Sequence, residues 1–174
     1  MSKKGMEKLI RTLMRFGMTR EDAEKYAQRY FQALNEAQRV SKDKLEEIKR
    51  FALKTLPHSE DFRVKYDKYD VIIVQVPAVP QVKRTSSGNY KIGLLWPGAK
   101  GSIGGPWISA FFSSKEEADK VASRPGDFFL LVGKVRTREY MGGPTYSINV
   151  AGLIELGEEE VPEEVFGEEG FAEE

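Results

Sequence analysis

The chain has no cysteine and only one histidine, His58. Without cysteine there are no disulfide bonds and no thiolate metal sites, and one histidine is too few for a histidine-rich zinc site. No apolar stretch has the length of a membrane span or of a signal-peptide core. We therefore expect a cytoplasmic protein with no membrane association, no metal and no cofactor. No catalytic constellation stands out, so we expect a protein that is not an enzyme.

The whole chain also lacks a net charge, but its two ends do not balance locally. There are 27 basic and 27 acidic residues, yet residues 157–174 contain nine glutamates and no lysine or arginine. Residues 1–156 therefore hold 27 basic against 18 acidic residues, a net charge of +9. A basic body suits a polyanionic ligand, and an acidic tail could mimic that ligand or recruit partners. Acidic termini also serve simply as solubility devices.

Residues 1–57 have the apolar period of amphipathic helices. Gly17 ends the first predicted helix, Thr19 and Ser41 are N-cap candidates for the next two, and Pro57 ends the third. Three short helices of this kind could share a small core. We predict a helical interaction domain over residues 1–57, serving protein binding or oligomerisation.

Beyond a charged connector at residues 58–68, the apolar period changes from 3.6 to 2. This pattern predicts five strands, at residues 71–76, 90–96, 107–112, 128–138 and 145–156, with a short helix at 114–123. Acidic runs are typical of disorder. The predicted fold class is therefore α+β: a small helical bundle, a five-stranded barrel over residues 58–156 and a disordered acidic tail over residues 157–174.

Five strands with one helix between the third and the fourth follow the order of the OB-fold. The segment Arg124-Pro-Gly-Asp-Phe-Phe-Leu-Leu-Val-Gly-Lys-Val-Arg136 resembles the entry into strand four of replication protein A-type domains. Tyr140-Met-Gly-Gly-Pro-Thr-Tyr146 is similar to that family's loop between strands four and five. The resemblance covers about residues 66–156. It implies an OB-fold that binds single-stranded nucleic acid.

A sequence-tolerant single-strand binder combines cations along a groove with flat aromatic faces. OB-folds place these groups on strands two and three and on the loops after strands one and four. The residues in those places and on strand four are the candidate nucleic-acid-binding set: Lys83, Arg84, Tyr90, Lys91, Trp96, Trp107, Phe111, Lys134, Arg136, Arg138 and Tyr140.

Several of these candidates have a structural alternative. Trp96 and Trp107 could pack on each other across the glycine-rich loop between them. Lys134, Arg136 and Arg138 alternate along strand four and so share one face, which could bind phosphates or be merely solvated. The glycine-rich loop lacks the Gly-Lys-Ser/Thr ending of a phosphate loop, and this argues against nucleotide binding.

The acidic tail is similar to those of bacterial single-stranded DNA-binding proteins, whose hydrophobic tip docks partners. The resemblance implies partner binding by Val165, Phe166 and Phe171. The sequence thus predicts a non-enzymatic single-stranded nucleic-acid-binding protein, with DNA favoured over RNA, acting in replication, repair or recombination. Two alternatives stay open: an RNA- or ribosome-associated OB-fold protein, and a protein-binding adaptor subunit.

Overall fold

The computed structural model describes residues 3–37 and 39–163. Two short 3-10 turns lie at Leu56–His58 and Glu158–Glu160. The helices are α1 (Lys3–Arg15), α2 (Arg20–Ala37), α3 (Lys42–Thr55) and α4 (Lys115–Ala122). The strands are β1 (Arg63–Tyr66), β2 (Tyr69–Gln75), β3 (Val82–Arg84), β4 (Tyr90–Leu95), β5 (Trp107–Phe112), β6 (Phe128–Tyr140) and β7 (Gly143–Glu155).

Five of these strands close into a ring. The order is β2-β6-β7-β5-β4, and a pairing of Gln75 with Leu95 joins β4 back to β2. The β5–β7 pair is parallel and the other pairs are antiparallel. In chain order the ring therefore reads first, second, third, fifth, fourth, with α4 between the third and fourth strands. This is the OB-fold arrangement, and the predicted α+β class is confirmed.

The barrel interior follows from the period-2 pattern of the strands. Ile92 and Leu94 on β4, and Ile108, Ala110 and Phe112 on β5, are buried at alternate positions. Because side chains alternate between the faces of a strand, the residues between them point outward. Ala118 and Val121 of α4 belong to the same core.

A second core lies on the outside of the barrel, under α3. Ile48, Ala52 and Leu56 pack there with apolar residues of β2 and β6: Val71, Ile73, Phe128, Leu130 and Val132. Burial on both faces explains why β2 is an almost continuous apolar run. The expected common core of three helices is not what forms, because α1 and α2 pack on each other in a separate cluster and α3 packs on the barrel.

Hydroxyl side chains begin three of the helices, two of them at the predicted N-caps Thr19 and Ser41. Thr19 Oγ1 accepts from the Asp22 amide at 3.2 Å, Ser41 Oγ from Lys44 at 3.3 Å and Ser114 Oγ from Glu117 at 3.4 Å. Each hydroxyl satisfies an amide that has no partner inside its helix. No described helix has the length and apolar character to cross a membrane.

Strands β1 and β3 lie in segments for which the sequence predicts a connector and a loop. Both strands are short and charged. Each pairs along the free edge of a longer strand, β1 with β2 and β3 with β4. Their pairing therefore comes from the neighbour's free backbone groups rather than from an apolar pattern.

The last strand pair forms an arm that extends beyond the barrel. β6 and β7 stay paired as far as Tyr140 and Gly143, whereas β2 leaves β6 at Asp70 opposite Gly133. The buried Asp70 carboxylate accepts from the Val135 amide at 2.9 Å and so satisfies the first amide of β6 beyond the β2 pairing. Asp70 therefore anchors the base of the arm.

The first part of the acidic tail is packed against the barrel. Val161 is buried in the α3 core, and Lys49 Nζ lies 2.7 Å from Glu160 Oε2. The expected disorder is therefore wrong for residues 157–163, because a buried valine and a half-buried ion pair attach them to the barrel. Residues 164–174, with Val165, Phe166 and Phe171, lie outside the described residues.

Candidate nucleic-acid interface

The barrel has one covered outer face and one open outer face. Helix α3 covers the outside of β2 and of the first half of β6. The outward residues of β4 and β5, and of the arm half of β6 and β7, are exposed or half-buried. The open face is therefore the surface on which an extended ligand can lie.

The strand register brings the predicted residues into rows across the open face. Lys83 is opposite Lys91, Lys91 is opposite Phe111, and Phe111 is opposite Asn149. Lys134 follows opposite Asn149, which completes a row over five strands. The next row along β6 holds Arg136, opposite Ser147 of β7. In the first row, Lys91 and Lys134 therefore lie on either side of the Phe111 ring.

A cavity of about 930 Å³ occupies the arm side of this face. We call it the wide cavity. Arg136, Arg138 and Tyr140 line it from β6, and Lys91 and Phe111 line it from β4 and β5. Gly5 at the start of α1 and Ser87 in the β3–β4 turn complete the rim. Five of the predicted binding residues thus meet at one cavity.

Two smaller cavities continue the wide cavity across the barrel. The middle cavity, of about 220 Å³, shares Lys91 with the wide cavity and is also lined by Lys83 and Trp107. The end cavity, of about 590 Å³, shares Trp107 and Pro77 with the middle cavity. The three cavities therefore follow one another in a single groove, which runs from Tyr140 past Lys91 and Trp107 to the end of β2.

Trp107 lies at the centre of the groove, where it lines both the middle and the end cavity. Its Nε1 donates to Gly104 O at 3.0 Å, and it is 37% exposed. The ring packs beside Gly93 and Gly105, where an added Cβ would lie 3.8 Å and 3.3 Å from it. Because glycine leaves room beside the backbone, the indole packs against these two positions and still lines the middle and end cavities with its exposed part.

The glycine-rich loop has a structural role beside the arm. A Cβ on Gly143 would lie 2.6 Å from Gly101 O, so only glycine allows the arm's turn to approach the loop this closely. Tyr146 Oη donates to Lys100 O at 2.7 Å and adds a second tie. The loop thereby supports the arm, whose Tyr140 is 54% exposed at the rim of the wide cavity.

Several cations outside the groove are held in ion pairs between described residues. Arg39 pairs with Glu117, Lys49 with Glu160, and Lys120 and Arg124 both pair with Glu155. By contrast, no ion pair to a described acidic residue involves the six predicted cations: Lys83, Arg84, Lys91, Lys134, Arg136 and Arg138. Their charges remain available to an anionic ligand.

Trp96 does not belong to the nucleic-acid-binding set that the sequence predicts. It is 1% exposed, its Nε1 donates to Phe62 O at 3.3 Å, and its ring packs edge-on against Tyr146. The expected alternative of packing on Trp107 is also wrong, since Tyr146 takes that position. With no free face, Trp96 belongs to the core and offers nothing to a nucleobase.

Tyr90 and Arg84 lie at the margin of the groove. Tyr90 is half-buried and packs against the barrel core, and Arg84 stands opposite it as an exposed residue of β3. Arg84 can reach a phosphate, whereas the Tyr90 ring is largely engaged by the core.

Sequence reasoning missed Gln75, which lines the end cavity. The signal was available, since Gln75 is the one polar residue in the run from Val71 to Val76. It also missed Asn149 and Ser109, which line the wide cavity as outward residues of β7 and β5. Isolated small polar residues give no periodic signal in a sequence. Only the strand register shows that Asn149 and Ser109 line the cavity.

No protein-family model matches the chain, and no curated protein matches it either. Among solved structures, one match is to Plasmodium falciparum SSB in complex with ssDNA, at a TM-score of 0.36 and 15% sequence identity. The match covers 54% of this chain and 98% of that chain. The fold assignment rests on the strand order and pairing described above.

Proposed function

We propose that the protein is a non-enzymatic single-stranded nucleic-acid-binding protein, with DNA favoured over RNA. The observation that carries the proposal is the groove itself. Six cations without a described ion pair border a track on which Trp107, Phe111 and Tyr140 stand. Cations recognise phosphates, and aromatic rings stack on bases of any sequence.

The geometry favours a single strand over a duplex. A duplex keeps its bases stacked on one another, so rings such as Trp107 and Tyr140 would find no base face to contact. Five strands from β3 to β6 at about 4.8 Å spacing span roughly 19 Å, which suits a few extended nucleotides. We therefore expect unpaired bases to lie on the rings while the backbone follows the cations.

Protein partners belong to the same proposal but to other parts of the chain. The α1–α2 pair exposes large apolar side chains, with Phe16 84% exposed and Tyr26 and Tyr30 also exposed. This supports a protein-binding role for the helical N-terminus. We propose partner recruitment for the tail with Val165, Phe166 and Phe171, and a place in DNA replication, repair or recombination in the cytoplasm.

The proposal is tested by fluorescence anisotropy with labelled 12-nucleotide single-stranded DNA, single-stranded RNA of equal sequence and duplex DNA. If all six cations contact phosphates, log K should fall with log salt at a slope of about −4 on a single strand. Between 50 and 200 mM salt the affinity should then drop on the order of 300-fold.

The outcomes separate the alternatives. Tighter binding of single-stranded DNA than of RNA and duplex agrees with the proposal. Tighter binding of RNA would favour an RNA- or ribosome-associated protein. Absence of binding, or affinity that does not change with salt, would leave the barrel as a protein-binding adaptor.

A further inference from the structure

Helix α1 carries positive charge along its outer face. Lys8, Arg11 and Arg15 are exposed and follow one another at spacings of three and four residues, so they share one side of the helix. Met6 and Ile10 point to the opposite side, where they are buried in the cluster that α1 forms with α2. We call the three exposed cations the α1 stripe.

The α1 stripe has little acidic charge beside it. Glu7 is the one acidic residue of α1, and Arg20 of α2 donates to both of its carboxylate oxygens at 3.2 Å. Arg11 lies 3.8 Å from the same carboxylate, as an exposed member of the pair. No ion pair with a described acidic residue involves Lys8 or Arg15. The stripe therefore keeps most of its positive charge.

The exposed face of α2 shows the ordinary arrangement of a solvated helix. There opposite charges pair at a spacing of four residues, Arg20 with Glu24 and Glu21 with Lys25. Like charges at this spacing repel one another and destabilise the helix. An anion that binds between them relieves the repulsion, so a stripe of one sign indicates an anionic ligand.

The α1 stripe begins beside the wide cavity. Gly5 of α1 lines that cavity together with Ser87 of the β3–β4 turn. A further cavity of about 150 Å³ is lined by this turn and by the first turns of α1. Lys8 follows Gly5 after about 4.5 Å of helix rise, and Arg15 follows it after about 15 Å. A strand that leaves the wide cavity at Gly5 therefore meets the stripe next.

We propose that the α1 stripe is a second binding surface for single-stranded nucleic acid and that it holds the strand after the strand leaves the wide cavity. This inference rests on the proposed function and lengthens the binding site beyond the barrel. Three cations over about two helical turns suit the repeated phosphates of one strand, and such contacts carry no base information. The stripe does not include Phe16, Tyr26 or Tyr30, which stay exposed for protein binding.

The first experiment measures the salt dependence of binding to 24-nucleotide oligo-dT for the full chain and for a triple variant, Lys8→Gln with Arg11→Gln and Arg15→Gln. Glutamine has nearly the helix propensity of lysine and arginine, so α1 should persist. Three lost phosphate contacts should flatten the slope of log K against log salt by about 2. Extrapolated from 1 M salt, this corresponds to about 100-fold weaker binding at 0.1 M salt.

The matched control removes the same charge from α3, the helix that covers the other face of the barrel. Lys42→Gln with Arg50→Gln and Lys54→Gln changes three exposed positions, none of which has a described ion pair. This variant should keep the wild-type slope, because its charges lie away from the groove and from α1.

The second experiment locates the strand without removing any cation. Because the chain has no cysteine, Thr12→Cys creates a single thiol at an exposed position on the same side of α1 as Lys8 and Arg15. A benzophenone maleimide attached at position 12 should photo-crosslink to the bound oligo-dT. The same label on Glu46→Cys, an exposed position of α3, should not.

A slope that flattens in the α1 variant alone, with crosslinks from position 12, supports the proposal. An unchanged slope, an equal change in the α3 control, or a label at position 12 that forms no crosslink overturns it and leaves the stripe as a solvated helix face. If the triple variant melts earlier than the wild type, the crosslinks decide. Failure of the wild type to bind the oligonucleotide overturns the proposed function as well, so the two failures are told apart.

Discussion

Removing Arg136 and Arg138 is the perturbation whose effect the geometry defines best. Both side chains are exposed on β6, both line the wide cavity, and neither has a described acidic partner. Replacing both with alanine therefore breaks no described ion pair and opens no buried space. We expect the melting temperature to change little and the loss to fall on nucleic-acid binding.

The magnitude follows from counterion release. Each phosphate contact adds about 0.7 to the steepness of log K against log salt on a single strand, so two lost contacts should flatten the slope by about 1.4. The counterion contribution vanishes at 1 M salt. Extrapolated from there, the loss of the two contacts should weaken binding about 25-fold at 0.1 M salt. The loss should be equal for all sequences, because phosphate contacts carry no base information.

The assay is an anisotropy titration of single-stranded DNA at four salt concentrations, for the wild type and the double variant. Arg50→Ala with Lys54→Ala is the matched control, since it removes the same charge from exposed positions of α3, the helix that covers the other face. A slope that Arg136→Ala with Arg138→Ala leaves unchanged, or a control that flattens it equally, would refute the assignment of the groove.

Four further outcomes follow from the contacts described. Tyr140→Ala should weaken single-strand binding by about 1–3 kcal/mol without lowering the melting temperature, because the ring is exposed. Trp96→Ala should lower the free energy of unfolding by about 3–5 kcal/mol in urea titrations, as a fully buried ring is lost. Asp70→Ala should lower it by about 1–3 kcal/mol, because the Val135 amide loses its acceptor. The hydrogen bond from Lys49 lowers the pKa of Glu160, so this contact stabilises the fold above the ordinary carboxyl pKa and is lost as pH falls through the lowered value. Lys49→Met should therefore melt earlier than the wild type at pH 7, and the difference should shrink as pH falls below the ordinary carboxyl pKa.

Each of these expectations has a distinct contrary result. Unfolding on loss of Tyr140 would place that ring in the core. Full stability of Trp96→Ala would contradict its burial. An unchanged unfolding free energy for Asp70→Ala would deny its role at the base of the arm. A difference in melting temperature that does not shrink as the Glu160 carboxylate becomes protonated would mean that Lys49 acts through something other than that carboxylate.

The barrel was predictable because its strands are long and alternate clearly. Ile92 and Leu94, or Ile108 and Ala110, mark an inner face by period alone. The role of α3 was not predictable, since an apolar stripe does not say whether it packs on another helix or on a sheet. The attachment of residues 157–163 was hidden for a related reason, because a single valine among glutamates gives no pattern.

The candidate site was predictable in its cations and only partly in its aromatics. Arg136 and Arg138 share a face by alternation, and the register confirms that they do. Trp96 and Trp107 have the same composition signal, yet one is core and the other is on the open face. Trp96 comes two residues after Leu94 and so continues the inner face, whereas Trp107 comes directly before Ile108 and so lies on the outer face. The period-2 alternation therefore already separates the two rings.

The most direct test of the central claim is a photo-crosslinking map with 5-iodouracil-substituted single-stranded DNA, read by mass spectrometry of the full chain. The account predicts crosslinks at the groove aromatics Trp107, Phe111 and Tyr140, and none at Phe51, an exposed ring on α3 whose exposure matches that of Trp107 at 37%. Crosslinks at Phe51 or on the α1–α2 pair, with the groove rings unmodified, would contradict it.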